Sequence, residues 1–180
     1  MITVDETATK KRQEWIDGFG RIIEVDEPVT AKTSGSGSAT ISGYEQSVQV
    51  CTQHLQGGDC GRYVTRYDHG TVSITVNGVL TSVSYGQGST SSSIATALAS
   101  AINSNGGINS LVSASTSGST VNINAKQSGS QTNYSLSAAA STGDPTDFPD
   151  GSFYAASGSS LTGGFDAGSS FATPQVTLYK

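Results

Sequence analysis

Two cysteines, Cys51 and Cys60, bracket the polar segment CTQHLQGGDC. The Gly57-Gly58 pair lets the chain reverse between them, so the two sulfurs can meet in a disulfide. Free buried thiols are the other reading. A zinc site would need four ligands, and no second Cys or His pair exists to complete the set. A disulfide would imply an oxidising setting outside the cytoplasm. The next candidate is Tyr67-Asp68-His69-Gly70, where a carboxylate beside an imidazole suggests a base and its orienting partner. Neighbours in a strand point to opposite faces, which argues against a direct Asp68–His69 bond and for a turn. His54, the other histidine, lies inside the cysteine loop. None of the many serines stands in a G-x-S-x-G elbow after a strand. The expectation is a chain without enzyme activity.

Asp144, Asp147 and Asp150 recur at intervals of three in GDPTDFPDG. Calcium takes clustered oxygen ligands, and a folded loop could gather these three. Rigid turns at Pro145 and Pro149 explain the segment equally well, and no other cofactor is implied. Phe148, Phe153, Tyr154 and Phe165 would form a sugar-stacking platform if exposed, or seal the loop to the core if buried. Asn133-Tyr134-Ser135 fits a glycosylation sequon but falls on an expected strand. Lys10-Lys11-Arg12, offset by Asp5, Glu6 and Glu14, reads as a solvated face.

The elements that position these residues are legible in the hydrophobic pattern. In TVSITVNGVLTSVSY, residues 71–85, Val72, Ile74 and Val76 alternate with polar residues, and Val79, Thr81, Val83 and Tyr85 do so again. The intervening Asn77-Gly78 suits a type I′ turn, so this is a β-hairpin with one buried face. Ile94, Leu98 and Ile102 then fall on one side of a helix over about 89–104, with Ser/Thr before it and Gly106-Gly107 after it. Leu111 to Ser117 and the alternating Val121, Ile123 and Ala125 form a second hairpin around Ser117-Gly118-Ser119, and Tyr134, Leu136 and Ala138 suggest one more strand. Upstream, Ala39 to Ser42, Ser47 to Cys51 and Arg62 to Tyr67 read as shorter strands. Ser141 to Ser170 reads as a loop, and Pro174 to Tyr179 as a closing strand.

The fold class is therefore α+β, mainly β: antiparallel sheets with one amphipathic helix around a β-hairpin, helix, β-hairpin core. The divisions are an N-terminal segment over 1–33, a β-rich module over 34–170 and a terminal strand over 171–180. A length of 180 residues fits one such domain, and 13% charged residues is too few for a helical bundle. A net charge of -5 argues against nucleic acid and anionic membranes, and no apolar run approaches the roughly 20 residues that cross a bilayer. MITVDETATKKRQEW has no apolar stretch of the signal-peptide kind. Seven of the nine Lys and Arg residues lie at or before Arg66, whereas Lys126 and Asp144 are the only charges between Gly70 and Pro145. A charged N-terminal piece thus precedes a neutral, Ser/Thr-rich body.

Two stretches resemble known sequences. EWIDGFGRIIEVDEP, residues 14–28, resembles the YD/RHS repeat: Asp17, Gly18, Gly20, Arg21 and Pro28 match, while Trp15-Ile16 replaces the usual Tyr. The final TLYK stands where a next repeat would begin, without its YD pair. From about Ser34 to Gly164 the chain resembles a module inserted in RHS-repeat proteins of soil bacteria such as acidobacteria. The matching stretches are SGSATISGYEQSV, YDHGTVSITVNG, VSYGQGST, SIATALASAIN and NYSLSAAAS. The hairpin-helix-hairpin part is also similar to the IN motif of flagellar hook-associated proteins. The resemblance implies a secreted or surface-exposed, non-catalytic module in or beside an RHS shell. Its expected partners are that shell, other copies of itself or glycans, without nucleic acid or membrane insertion. Strand material at both ends of a complete core would let one end complete the sheet of a neighbour, giving a filament. The different-class alternative is a carbohydrate-binding module using the aromatics of 148–165.

Overall fold

The computed structural model describes residues 13–26 and 32–166. Lys10-Lys11-Arg12 and the expected strand at 174–179 lie outside the described residues. The first hairpin pairs β1 (Gln13–Ile16) with β2 (Ile22–Asp26) in antiparallel register. Its turn explains the Asp-Gly-x-Gly-Arg spacing. Asp17 accepts hydrogen bonds from the backbone N–H of Phe19 (2.9 Å) and of Arg21 (3.0 Å), and the Arg21 guanidinium returns to the same carboxylate at 2.7 Å. Gly20 supplies the positive φ of 79° that the turn requires.

The main body begins with β3 (Ser36–Gly43), β4 (Ser47–His54), β5 (Cys60–Tyr67), β6 (Gly70–Val76) and β7 (Val79–Tyr85). Helix α1 (Ser91–Ser104) and the single turn α2 (Gly106–Asn109) follow, then β8 (Val112–Ser117), β9 (Thr120–Ala125), β10 (Leu136–Thr142) and β11 (Phe153–Ser157). All ladders are antiparallel. One sheet has the order β10-β6-β7, a second β11-β3-β9-β8, and β4-β5 forms a separate ribbon.

Asn77 (φ 50°) and Gly78 (φ 78°) adopt the left-handed pair of a type I′ turn, which sets the β6–β7 register Val76↔Val79 through Gly70↔Tyr85. The alternation then places Val72, Ile74 and Val76 on the inner face, each fully buried. From the second sheet Ala39, Ile41, Val112, Val121 and Ile123 point into the same core. Helix α1 lies against β7, β8, β3 and β9, inserting Ile94, Leu98 and Ile102 between the sheets. Each fully buried Ile or Leu contributes about 1.5–3 kcal/mol. Thr90 is the N-cap rather than part of the helix: its hydroxyl accepts from the Ser93 N–H while Ser93 reaches back to the Thr90 N–H. That capping box moves the start to Ser91. Asn105 ends α1 and accepts from the Gly107 N–H, starting the extra turn α2 that the Gly pair had suggested was only a stop.

The reading of Ser141 to Ser170 as loop needs correction in two places. β10 runs to Thr142, and Phe153–Ser157 is a strand paired with β3, Phe153 opposite Gly43 and Ser157 opposite Ala39. Five residues with two alanines carry little local strand signal, and the partner is more than a hundred positions upstream. β10 and β11 lie alongside each other, tied at one end by bonds from the Leu136 N–H to the Ser159 carbonyl (2.9 Å) and the Leu161 N–H to the Tyr134 carbonyl (2.8 Å). The body also closes on itself at its extremities. Thr33 and Phe165 exchange backbone hydrogen bonds of 3.0 and 3.3 Å, and the Thr33 hydroxyl donates to the Gly163 carbonyl.

Candidate functional site

The β4–β5 ribbon is the part of the body that the core does not account for. No residue of either strand is fully buried, and Tyr63, Val64 and Tyr67 are exposed. Cys51 and Cys60 are joined in a disulfide with Cα atoms 5.8 Å apart, the expected pairing, and no free cysteine is found among the described residues. The bond lies where the register slips, between Cys51, Gln53 and His54. His54 Nδ1 lies 3.8 Å from the Cys51 sulfur. Gly57 and Gly58 both take positive φ at the tip, where a side chain would be strained.

The root of the ribbon is built on Asp68, which is 1% exposed. Its carboxylate accepts from the Tyr85 hydroxyl (3.0 Å), the Thr142 hydroxyl (2.6 Å) and the Ser152 N–H (2.7 Å). One side chain thus ties the end of β5 to β7, β10 and the segment entering β11. Burial alone would favour the neutral acid, yet the bonds from Thr142, Ser152 and Tyr85 outweigh it and hold Asp68 below its ordinary value. Tyr85 is pushed up to about 12, first by burial and then by its bond to the Asp68 carboxylate. Gly70 is required here, because a Cβ would meet the Ser141 carbonyl and the Tyr85 ring. Tyr85 in turn packs edge-on against Phe153, with ring centroids 5.0 Å apart. Further bonds fasten the root: the Asp68 N–H to the Gln46 carbonyl, and the Gln46 N–H and side-chain amide to Ser152 Oγ and the Gly151 carbonyl.

The Asp68 oxygens are therefore taken up by hydroxyl and amide donors, and the carboxylate does not meet His69. His69 is exposed and lies against Gly143. Asp68 lies in the two-residue link between β5 and β6, and its larger role had no local signal: its partners are 17, 74 and 84 positions away.

The acidic loop faces the ribbon. Arg66 reaches Asp147 at 3.1 Å and Asp144 at 3.9 Å, and Asp144 accepts from the Asp147 N–H. Asp150 is exposed and joins neither contact. Among the described residues no group of three or more His, Cys, Asp or Glu is placed to hold a metal ion. The four aromatics separate into two pairs: Phe148 and Phe153 are buried at 4% and 3% exposure, whereas Tyr154 and Phe165 are exposed at 50% and 63%. Asn133 spends its side-chain amide on the Gly164 backbone, donating at 3.0 Å and accepting at 2.9 Å. An open depression of about 640 Å³ lies between Tyr44-Glu45 and the start of α1. Glu45 already accepts there from the Gly88 N–H at 2.6 Å. No described helix is long and apolar enough to cross a membrane. No family model matches the chain, and no curated protein is significantly similar to it.

Proposed function

We propose that this chain carries a non-enzymatic structural module for an extracellular or cell-surface setting, inserted in a larger RHS-type architecture and displaying the β4–β5 ribbon for adhesion or assembly. The observation that supports it best is the pairing of Thr33 with Phe165. A body whose entry and exit segments bond to each other occupies a single point of attachment in a host chain, the geometry that tolerates insertion. Those two positions also bracket the stretch that resembles the RHS insert. The disulfide fits an oxidising compartment. The test is a graft of residues 32–166 into a surface loop of an unrelated, well-folded host. Both parts should melt cooperatively with the Cys51–Cys60 bond formed, and a graft that unfolds host or module removes the insertion reading.

The carbohydrate-binding alternative keeps Tyr154 and Phe165, whose exposed rings can stack on sugars. Retention on a glycan array that disappears in Tyr154→Ala and Phe165→Ala would favour it.

A further inference from the structure

Strand edges are where a β-rich module recruits another chain, and the described edges differ in how they are closed. β8 is sealed at its centre by Asn103 of α1, whose side chain donates to the Ala114 carbonyl (2.8 Å) and accepts from the Ala114 N–H (2.9 Å). β10 and β11 run beside each other and are joined at one end. The ribbon carries register slips and two arginines, Arg62 and Arg66, which oppose edge pairing. α1 packs against β7 as well, but no described side chain bonds to the β7 backbone and no slip or charge interrupts it. Its sequence VLTSVSY contains no charge and no proline, and its ladder to β6 has no bulge.

The two-residue turn fixes which groups of β7 remain free. With Val76↔Val79 as the first bonded pair, Thr81, Val83 and Tyr85 also bond to β6. The N–H and C=O groups of Leu80, Ser82 and Ser84 therefore point away from the sheet, and no described residue bonds to them. All three residues are exposed, Leu80 at 60%.

We infer that the β7 edge is a docking surface for a second copy of this chain, pairing β7 with β7 antiparallel about a twofold axis at Ser82. This rests on the self-association part of the reading above. The edge is self-complementary: Ser82 faces its own copy and Leu80 faces the copy's Ser84, so all three outward residues meet outward residues. An uncharged strand meets itself without like-charge repulsion, and the neighbouring α1 also lacks charged residues. The product is one continuous six-stranded sheet, β10-β6-β7 followed by its twofold copy. A twofold joint closes on itself, so this edge yields pairs, and a filament needs a second, different joint.

The test is sedimentation equilibrium of the full, non-reduced chain against Ser82→Pro and Leu80→Lys. Proline at residue 82 removes an N–H that β6 does not use, and Leu80→Lys places a charge on the joint while leaving the backbone intact. The expected result is a concentration-dependent dimer that both variants lose, with unchanged circular dichroism. Amides of Leu80, Ser82 and Ser84 should gain exchange protection on dimerisation. Dimers that persist in Leu80→Lys without that protection would overturn the β7 joint and leave self-association standing. A wild-type chain that stays monomeric at millimolar concentration would overturn both.

Discussion

In the body, β6 and β3 each lie between two other strands and are backed by Ile74, Ile41 and the Leu98 stripe of α1. In the ribbon, β4 and β5 pair only with each other among the described strands, and no side chain of either is fully buried. A two-stranded hairpin without a core is marginal in water. The disulfide supplies by chain connectivity what the body obtains by excluding water, and Asp68 is where the two regimes meet. The same protein thus holds a core packed between sheets and a ribbon whose side chains are all exposed or half-buried.

The largest effect on this division should come from Asp68→Ala. It strands the Tyr85 hydroxyl and the Ser152 N–H in the core and takes the acceptor from the half-buried Thr142 hydroxyl, at about 3–5 kcal/mol of global stability. Urea unfolding of the body measures it, and a loss under 1 kcal/mol would mean the root is not what joins ribbon to core. The same pair sets two pH limits. Asp68 is held below its ordinary value of 3.8, so its contribution is complete above that value and disappears as pH falls through the lower folded one. Tyr85 titrates near 12 instead of 10, so its contribution is complete below 10 and is lost as pH rises through about 12. Tyr85→Phe should abolish the alkaline limb of the unfolding curve and leave the acid one.

Reduction of Cys51–Cys60 should separate the regions next. Closing a loop of this length is worth roughly 3 kcal/mol, and here that sum falls on the ribbon. Amides over 47–67 should lose hydrogen-exchange protection while the body keeps its melting midpoint. A fall in the body's midpoint on reduction would show that the ribbon is part of the core's cooperative unit. The smallest change is Arg66→Ala, which removes an exposed ion pair to Asp147 worth about 0.2–1 kcal/mol. It should increase ribbon exchange near the root without altering the urea curve.

The legible parts of the fold share one property: their signal is local. Asn77-Gly78, the Ile94–Leu98–Ile102 stripe and the Val121–Ile123 alternation each sit within a window that one element occupies. The cysteine pairing was legible for the same reason, with a sequence separation of nine and two glycines at the tip. β11 was not, because Phe153–Ser157 becomes a strand only through β3. Nor was the Asp68 knot, whose donors come from three distant segments. The sequence offers the four aromatics as one set, either a stacking platform or a seal, but Phe148 and Phe153 turn inward while Tyr154 and Phe165 do not. Composition marks a residue as aromatic; the neighbours that arrive later decide which way it faces.

The position of β3 has a consequence for biosynthesis. It is the first strand of the body to leave the ribosome, yet its sheet neighbours are β9 and β11. Thr40 is 80 positions ahead of its partner Thr120. At a synthesis rate of about 5–20 residues per second, β3 waits roughly 4–16 seconds for its first ladder. During that interval the β6–β7 hairpin can already form, so the nascent chain acquires its three-stranded sheet and its four-stranded sheet by different routes. The Ser and Thr that dominate the solvent side of β3 keep the waiting segment soluble, a demand that the finished fold no longer reveals.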